Sequence, residues 1–484
     1  MANNIGPSNR ERQRLQLELS DLSGGFVSHA ASYNIDERFL IDIQNMELVH
    51  GMWQKRRGFH LSGSFFRIEK SPNSAKGLHV LNQQGNLHLR GAFEGNLYDT
   101  YYITKENAGK LIASGFPTTR RIRFTDFRNQ CYFTHGQDKM MKYDGYKVTY
   151  IDTPVGHVLA TYDNRVLLAG IKGDPLTIYY SEQGNGDIWN ALNYLVLDGK
   201  SGEKVIALIP IQGKLYIFTN KSIFSLTGTM DNFAVSKEVE GIGATSFEAI
   251  QVFGNKFYFM DEKGKVYEYD GGSFPVEISY NITSYVTSAF SKSAIQNVVT
   301  THYKNSVWFT MDNTSIPEKR VTLVYYPNDR AWTRFVGIPA AAYTHINGAL
   351  FFTGVHNSGA IYQYDTQYKD ATRYIEGSLK TAKWGFRATE NIKRFKTLYV
   401  RGAIQGGGGN GFDIEFLVDD SKVASVRVTS DIAAETEVWG SNAWGEMYWG
   451  SAPSSSGALW GQSSGEAFEW AGAEIKYAPR WGTT

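Results

Sequence analysis

The sequence is almost without cysteine. Its 484 residues contain one, Cys131, within the segment QCYFT. A disulfide inside the chain is therefore impossible, and a metal site built on thiolates is excluded. Because Cys131 occupies an apolar position of an alternating pattern, we expect it to be a small buried hydrophobic residue and not a nucleophile.

Long apolar runs and an excess of charge are missing too. No stretch approaches the roughly 20 apolar residues that span a bilayer, and the N-terminal MANNIGPSNRERQRLQ lacks the apolar centre of a signal peptide. We therefore expect synthesis and folding in a reducing cytosol. Lys and Arg together number 49 and Asp and Glu 48, so the net charge provides no attraction to nucleic acid or anionic membrane.

Catalytic and metal-binding motifs are scarce. The sequence has no His-Glu-x-x-His, no Cys-x-x-Cys and no Walker loop. Its histidines stand singly, without the i, i+2 or i, i+4 spacing that places two imidazoles on one metal. They are His29, His50, His60, His79, His88, His135, His157, His302, His345 and His356. We expect these to be structural residues.

Some acidic residues remain as candidates for calcium ligands or glycosidase carboxylates. They are the segment DNTS, Asp312–Ser315, and the pair Asp261 and Asp270. Acidic residues are common in β-turns for conformational reasons alone. We therefore predict no catalytic, cofactor-binding or metal-binding residue, no cofactor, and a protein that is not an enzyme.

One pattern recurs along the chain. A polar turn with Asn or Gly precedes an alternating aromatic and aliphatic strand, and most copies end in Tyr-Asp or Tyr-Pro-Asn. Copies begin at Arg128, Asp163, Gln212, Gly254, Lys304 and Asn347, and a weaker one begins at Lys76. Short strands that repeat every roughly 35 to 50 residues predict a β-propeller.

The alternation inside each copy is typical of blade strands. Phe257 and Phe259, for example, are apolar and two residues apart, so one strand face should pack against a neighbouring blade. The triplets Tyr143-Asp144-Gly145 and Tyr269-Asp270-Gly271 predict turns at strand ends. The predicted fold class is all-β: a propeller of about seven blades with an appended C-terminal antiparallel β-sandwich.

Three domains are predicted. Residues 1–60 form an N-terminal arm, residues 61–384 the propeller, and residues 385–484 the sandwich with a Trp- and Gly-rich tail. In the arm, the apolar spacing of IDERFLIDIQNMEL predicts a short helix over Asp36–Asn45. The strands on either side of Gly51 predict a hairpin, and the alternating Leu15–Leu22 predicts a strand that completes the last blade.

The C-terminal region departs from the repeat. Long alternating strands turn at Asp419-Asp420, and Gly406–Gly411 predicts a flexible tip, because no Gly-Lys-Ser/Thr follows it. Six of the 11 tryptophans lie after Val438, and Trp439, Trp444, Trp449 and Trp460 each precede a Gly. So much exposed Trp would aggregate, so the tail should dock on its own sandwich or on a partner subunit.

Two segments resemble virion proteins of tailed bacteriophages. DLSGGFVSHAASYNIDERFLIDIQNMELVHGMWQKRRGF, from Asp21, is similar to their opening, and DNRVLLAGIKGDPLTIYYSEQGNGDIWN, from Asp163 and closed by Trp189, is similar to their blade. The family is that of tail-hub or nozzle proteins of short-tailed phages, including the packaged-DNA-stabilisation proteins. The resemblance covers residues 20–430 and leaves the Trp-Gly tail unmatched.

The resemblance implies a structural protein of the virion neck or tail. Six copies would form a ring below the portal and its adaptor, continue the DNA channel without sequence-specific binding, and retain packaged DNA. Tail fibres or spikes and a tail needle are the other implied partners. The arm with its basic Lys55-Arg56-Arg57, and the region after Gly385, should make the subunit contacts.

Two other readings stay open from the residues. One is a receptor- or carbohydrate-binding propeller on the virion surface, which the tryptophan tail favours because Trp stacks on sugar rings. The other is a hydrolase or lyase on a propeller fold, which would gather carboxylates, arginines or histidines near the central channel. Glycan binding would indicate the first, and a channel-facing catalytic cluster the second.

Overall fold

Strands make up nearly all of the regular structure. The computed structural model describes residues 21–29, 35–64, 75–83, 86–100, 109–313, 320–355, 359–383, 397–398, 402–404, 411–418, 420–429, 468–470 and 475–476. The chain divides into two compact units between Phe386 and Arg387, whereas the sequence placed the boundary after residue 384. Each unit is described separately below.

The N-terminal segment contains strands only. They are β1 (Gly25–Phe26), β2 (Phe39–Gln44), β3 (Met46–Val49), β4 (Met52–Lys55) and β5 (Gly58–Ser64). Strands β3 and β4 form the predicted hairpin, with Val49 opposite Met52. Its turn residues His50 and Gly51 both have positive φ, 50° and 77°, as a tight two-residue hairpin requires.

The helix predicted over Asp36–Asn45 is wrong, because these residues contain strand β2. A register shift lies between Leu40 and Asp42, and this bulge places Leu40 and Ile43 on the same side, where both are fully buried. A bulge adds one residue to a strand. Two buried residues are therefore three apart, which is the spacing that indicated a helix.

Five four-stranded antiparallel sheets follow in chain order. Sheet 1 contains β6 (Gly77–Gln83), β7 (Asn86–Phe93), β8 (Asn96–Thr100) and β9 (Lys110–Ser114), and sheet 2 contains β10 (Arg123–Phe127), β11 (Gln130–Thr134), β12 (Met141–Tyr143) and β13 (Val148–Tyr150). Sheet 3 contains β14 (Val158–Tyr162), β15 (Arg165–Ala169), β16 (Thr177–Tyr180) and β17 (Tyr194–Val196), and sheet 4 contains β18 (Val205–Ile211), β19 (Lys214–Thr219), β20 (Ser222–Thr229) and β21 (Asn232–Glu240). Sheet 5 contains β22 (Ile250–Phe253), β23 (Lys256–Met260), β24 (Val266–Tyr269) and β25 (Val276–Glu277).

Two short helices, α1 (Thr283–Ala289) and α2 (Lys292–Gln296), lie between sheets 5 and 6 in the chain. Single 3-10 turns lie at Phe247–Ala249 and Tyr280–Ile282. Sheet 6 is β26 (Val299–Tyr303), β27 (Ser306–Asp312), β28 (Arg320–Tyr326) and β29 (Ala331–Val336). Sheet 7 joins β30 (Ala340–Ile346), β31 (Ala349–Gly354), β32 (Ala360–Gln367), β5, β33 (Lys369–Asp370) and β34 (Arg373–Tyr374), and β35 (Ser378–Thr381) pairs with β2.

The first two strands of the sheets are joined by similar tight turns. Asp163 and Asn164 have φ values of 48° and 53°, and Gln212 and Gly213 have 50° and 77°. Positive φ at both central residues matches the right-handed twist of the flanking strands and favours Asn, Asp and Gly. This requirement explains why the repeat carries these residues at the turn.

The sheets are packed in sequence around a common centre. First strands contact one another in the pairs β6 and β10, β10 and β14, β14 and β18, β22 and β26, and β26 and β30. Sheets 4 and 5 share a core that includes Phe218 and Phe257. Strand β30 in turn contacts β6, so the series returns to its start. This is the arrangement of a β-propeller.

Strand β5 supplies the fourth strand of sheet 7. It pairs antiparallel with β32, Tyr364 lying opposite Phe59, so an N-terminal strand completes a sheet made from the end of the unit. The predicted closing segment, Leu15–Leu22, lies outside the described residues except for its last two positions. Strand β5 (Gly58–Ser64) completes the sheet instead, because it pairs with an edge of β32 that would otherwise be exposed.

The N-terminal segment is bound firmly to sheets 6 and 7. Arg56 is fully buried and donates to the Asp370 carboxylate at 2.9 and 2.6 Å, to Asn45 Oδ1 at 2.9 Å and to the Val336 carbonyl at 2.9 Å. Arg57 stacks over Tyr368, 4.0 Å from the ring centre. Arg56 is thus paired inside the chain, and the expectation that the arm makes subunit contacts stays a prediction.

The strand faces follow the predicted alternation, but both are buried. Phe257 and Phe259 of β23 belong to a core shared with Phe218 of sheet 4, while Tyr258 belongs to a core shared with Phe309 of sheet 6. An inner strand of a sheet that is packed between two other sheets has both faces covered. The prediction of one buried face is therefore confirmed, and the opposite face is buried as well.

The second unit contains three described strand pairs. Strand β36 (Thr397–Leu398) pairs with β41 (Ile475–Lys476), β37 (Gly402–Ile404) with β40 (Phe468–Trp470), and β38 (Gly411–Val418) with β39 (Ser421–Thr429). The predicted hairpin is confirmed by the pairing of Val418 with Ser421. The predicted tip before Gly411 and most of the tail after Val438 lie outside the described residues.

Candidate functional site

A cluster of charged side chains lies where the first strands of the first unit converge. Arg123 of sheet 2 donates to Glu248, which precedes sheet 5, with Nη2 at 2.7 Å from Oε2 and a second contact through Nη1. Arg121 Nε lies 3.7 Å from the same carboxylate, and its Nη1 donates to the Ala341 carbonyl of sheet 7 at 3.2 Å. We call Arg121, Arg123 and Glu248 the central cluster.

The central cluster links sheets that are distant in sequence. Arg123 and Glu248 are 125 residues apart, and Arg121 and Ala341 are 220 apart. Burial lowers the pKa of Arg121 to about 10, and burial together with the neighbouring Arg121 lowers the pKa of Arg123 to about 9. Both guanidinium groups stay charged at neutral pH, so one carboxylate holds two cations.

A second group of polar residues lines the first strands of sheets 5 to 7. The Gln251 amide nitrogen lies 3.0 Å from His302 Nδ1, and the His302 and His345 rings stack with centres 4.6 Å apart. Burial and, as a smaller contribution, the neighbouring His302 lower the pKa of His345 to about 4. Burial also lowers the pKa of His302. Two imidazoles in contact at neutral pH are therefore both uncharged.

A third group joins sheets 1 and 2. His79 Nε2 lies 2.9 Å from Asp126 Oδ1, and the His79 ring stacks on Phe124 with the ring planes 8° apart. The Cys131 thiol is the third member, since its sulfur, one imidazole nitrogen and one carboxylate oxygen all lie within 4.8 Å of one another. Cys131 is fully buried, as predicted.

The acidic candidates from the sequence are occupied by their own turns. Asp270 Oδ1 accepts from the amides of Gly272 and Ser273 at 3.0 and 2.9 Å, and these hydrogen bonds lower its pKa to about 2. Asp261 Oδ1 accepts from the amides of Lys263 and Lys265. The turn interpretation is therefore confirmed for both residues.

Two other candidates are also accounted for. Asp312 lies 2.9 Å from Arg320 Nε, Asn313 is buried, and Thr314 and Ser315 of the DNTS segment lie outside the described residues. The Tyr143-Asp144-Gly145 turn is confirmed, because Asp144 Oδ1 accepts from the amides of Tyr146 and Lys147 at 2.8 and 2.9 Å. These acids stabilise a turn or pair with a neighbouring arginine.

The outer strands differ from sheet to sheet in what covers them. The outer strands of sheets 3 to 5 carry exposed apolar side chains, including Tyr194 and Val196 in β17, Phe233 and Val235 in β21 and Val276 in β25. Sheet 6 is different: β1, β2 and β3 contact its outer strand β29, and Trp332 is buried. The chain's own N-terminal segment therefore covers sheet 6 and leaves sheets 3 to 5 open.

Sequence reasoning did not find the central cluster or the His79, Asp126 and Cys131 group. Cys131 and Asp126 are direct partners across β10 and β11, which the hairpin pattern signals. His79 comes from another sheet, 47 residues before Asp126, and spacing along the chain carries no such information. In the described part of the chain, no helix has the length and apolar character needed to cross a membrane.

No protein-family model and no curated protein sequence matches this chain. Several solved structures have similar folds. PorZ, an essential bacterial surface component of the type-IX secretion system of Porphyromonas gingivalis, is 11% identical with a TM-score of 0.40, and the match covers 75% of this chain and 46% of PorZ. The chain thus spans about half the length of PorZ.

Two further structures resemble the chain to a similar degree. BamB from Moraxella catarrhalis is 10% identical with a TM-score of 0.39, the match covering 66% of this chain and 98% of BamB. The extracellular domain of BT4673 from B. thetaiotaomicron, a putative hybrid two-component system, is 13% identical with a TM-score of 0.46, covering 77% of this chain and 47% of that one. None of these similarities bears on function.

Proposed function

We propose that this chain is a non-enzymatic structural protein of a bacteriophage neck or tail. Copies of it assemble into a ring, a hub or nozzle, that lies below the portal and its adaptor, continues the DNA channel and retains packaged DNA. The protein is located in the virion, and the sequence resemblance implies six copies in the ring. The proposal rests on that resemblance and on the open outer strands of sheets 3 to 5.

The scaffold in this proposal is one closed propeller. Sheets 1 to 7 are its seven blades, β5 closes it, and the strand pairs of the second unit belong to a small antiparallel sandwich. A propeller whose last sheet contains an N-terminal strand resists opening, since opening it breaks the β5 and β32 ladder. Such a disc suits a particle that contains DNA under pressure.

The exposed apolar side chains on the outer strands are the observation that supports assembly of several copies into a ring. Val196 is 62% exposed and Tyr194 45% in sheet 3, and Val276 is 61% exposed in sheet 5. Edge strands with exposed apolar side chains pair readily with other chains, and proteins usually cover them or place charges on them. This chain covers sheet 6 with its own segment, so the open side suits a second copy of the chain.

The DNA channel in this proposal lies between the copies and not through each propeller. The central cluster connects sheet 2 with sheets 5 and 7, which leaves its arginines paired where the first strands converge. A formal net charge of +1 suits a conduit that must not hold the phosphates through counterion release.

Mass spectrometry and electron microscopy of purified particles test the proposal. Particles made from the genome that encodes this chain should contain it as a ring between portal and distal tail. Particles without the chain would overturn the virion assignment. Glycan-array binding by a chain found at the tip of a fibre, outside the neck, would favour the receptor-binding alternative.

A paired variant tests the assembly surface. Replacing Tyr194 and Val196 together by Lys should leave folding intact, because both side chains are exposed, and should prevent self-association in analytical ultracentrifugation and entry into particles. Tyr374→Lys is the matched control, since Tyr374 is 78% exposed but lies in sheet 7. Normal assembly of the paired variant would show that the open strands are not the interface.

A further inference from the structure

Three side chains with metal-binding atoms meet between sheets 1 and 2. His79 comes from β6, Asp126 from β10 and Cys131 from β11, and one ligand atom from each lies within 4.8 Å of the other two. Imidazole nitrogen, carboxylate oxygen and thiolate sulfur are the three donor types that proteins use for Zn²⁺, and three protein ligands leave a fourth tetrahedral position for water.

The backbone holds the three donors in place. Asp126 and Cys131 are direct partners in the antiparallel β10 and β11 ladder, so their side chains lie on the same face and close together. The His79 ring is stacked on Phe124, with centres 5.2 Å apart, and its Nε2 already faces the Asp126 carboxylate at 2.9 Å. Small side-chain rotations would bring all three donors onto one ion.

An ion can reach this position from solvent. The side chains of His79 and Asp126 are 21% and 33% exposed, whereas Cys131 is fully buried behind them. Burial raises the pKa of the Cys131 thiol to about 12 against the smaller opposing effect of the Arg90 guanidinium, so the thiol stays protonated until an ion displaces its proton. Arg90 is itself balanced by Asp99 at 3.3 Å. A bound Zn²⁺ would be neutralised by one thiolate and one carboxylate, which avoids a buried net charge.

We propose that His79, Asp126 and Cys131 form a zinc site that joins sheets 1 and 2. On binding, Zn²⁺ forms bonds to His79 Nε2, an Asp126 oxygen and Cys131 Sγ, and the thiol proton passes to solvent. The ion links the first strand of sheet 1 to the first two strands of sheet 2. The site's role is structural, and it is independent of the proposed virion function.

Metal titration of the purified, untagged full chain tests the site. After chelator treatment and desalting, the chain should take up about one Zn²⁺, and Zn²⁺ should raise the Tm. Co²⁺ in place of Zn²⁺ should produce the near-ultraviolet charge-transfer band of a thiolate ligand together with the visible bands of a tetrahedral ion. A wild-type chain that gives neither a thiolate band nor a Zn²⁺-dependent Tm shift would overturn the proposal.

Variants assign the ligands. Cys131→Ser should remove the charge-transfer band, and Asp126→Asn, which can still hydrogen-bond His79, should abolish the Tm shift while the apo protein stays folded. His345→Gln is the matched control, because His345 is another partly buried first-strand histidine with no thiol beside it, and it should keep the full response. A Zn²⁺-dependent Tm shift that persists in Cys131→Ser or in Asp126→Asn, or the loss of the thiolate band in His345→Gln, would place the ion elsewhere.

Discussion

At the scale of single residues, burial decides what each side chain does. Tyr258 and Phe259 are neighbours in β23, yet they belong to the cores on opposite sides of sheet 5. Each inner strand therefore contributes to two interfaces at once. Partly buried polar residues such as His345 adopt the uncharged form at neutral pH, since burial lowers the pKa of the imidazole.

Truncation of Phe259 tests the packing of sheet 5. Phe259 is fully buried, and its ring lies 5.4 Å from Phe218 and 5.6 Å from Tyr267. Phe259→Ala should lower the free energy of unfolding by about 3–5 kcal/mol, as measured by denaturant unfolding. Phe274→Ala, at an exposed position, should have little effect, and equal losses in the two variants would contradict the assigned register.

The His302 and His345 pair predicts how stability depends on pH. Burial lowers the pKa of His345 from 6.5 to about 4, so between these values the unfolded chain binds a proton that the folded chain does not. Stability should therefore be fully present above about pH 6.5 and fall as the pH drops toward about 4.

Substitution separates this contribution from that of other acid-sensitive groups. His345→Gln removes the titrating imidazole, so unfolding measured at several pH values should show a weaker loss of stability on acidification than in the wild type. An identical pH dependence in the variant would show that His345 is not buried as an uncharged group.

At the scale of elements, the closing strand β5 packs so tightly that one of its positions tolerates only glycine. Gly58 has no room for a side chain, because a Cβ there would lie 2.0 Å from the Lys369 carbonyl oxygen. Gly51, at the tip of the β3 and β4 hairpin, has open space around its Cα. The same residue type thus serves close packing in one place and a positive φ of 77° in the other.

A substitution at Gly58 tests closure. Gly58→Val should push β5 away from Lys369 and out of its ladders with β33 and β32, and should destabilise the protein by roughly 1–3 kcal/mol. Faster proteolysis near the N-terminus and aggregation through the freed edge of β32 should follow. Gly213→Asn is the control, because Gly213 has open space and a positive φ that Asn tolerates. A Gly58→Val variant as stable as the wild type would contradict the pairing of β5.

At the scale of the whole molecule, we expect assembly into particles to require the Trp- and Gly-rich C-terminal tail. Deletion of Val438–Thr484 should leave a folded first unit that fails to enter particles, because aromatic anchors dominate subunit interfaces. Circular dichroism and thermal unfolding would check the fold, and mass spectrometry of particles would check incorporation. Particles that incorporate the truncated chain, retain their DNA and infect would show that the tail is not an assembly element.

Local physics accounts for what the sequence determined by itself. Alternation places side chains on opposite faces of a strand, and Asn, Asp and Gly tolerate positive φ, so the repeating strands, the hairpin at Gly51 and the turns at Asp144 and Asp270 were all predictable. The burial of Cys131 followed from its position in such a strand. Each of these features depends on residues within about one hairpin of each other.

The tertiary structure decided the features that depend on which distant segments meet. A bulge in β2 gave strand residues a helical spacing, β5 and not an earlier segment completed sheet 7, and Arg56 became buried against Asp370, 314 residues away. His79, Asp126 and Cys131 likewise converge because two sheets pack together. Hydrophobic spacing specifies a buried face but not the partner that buries it, since apolar contact is non-directional.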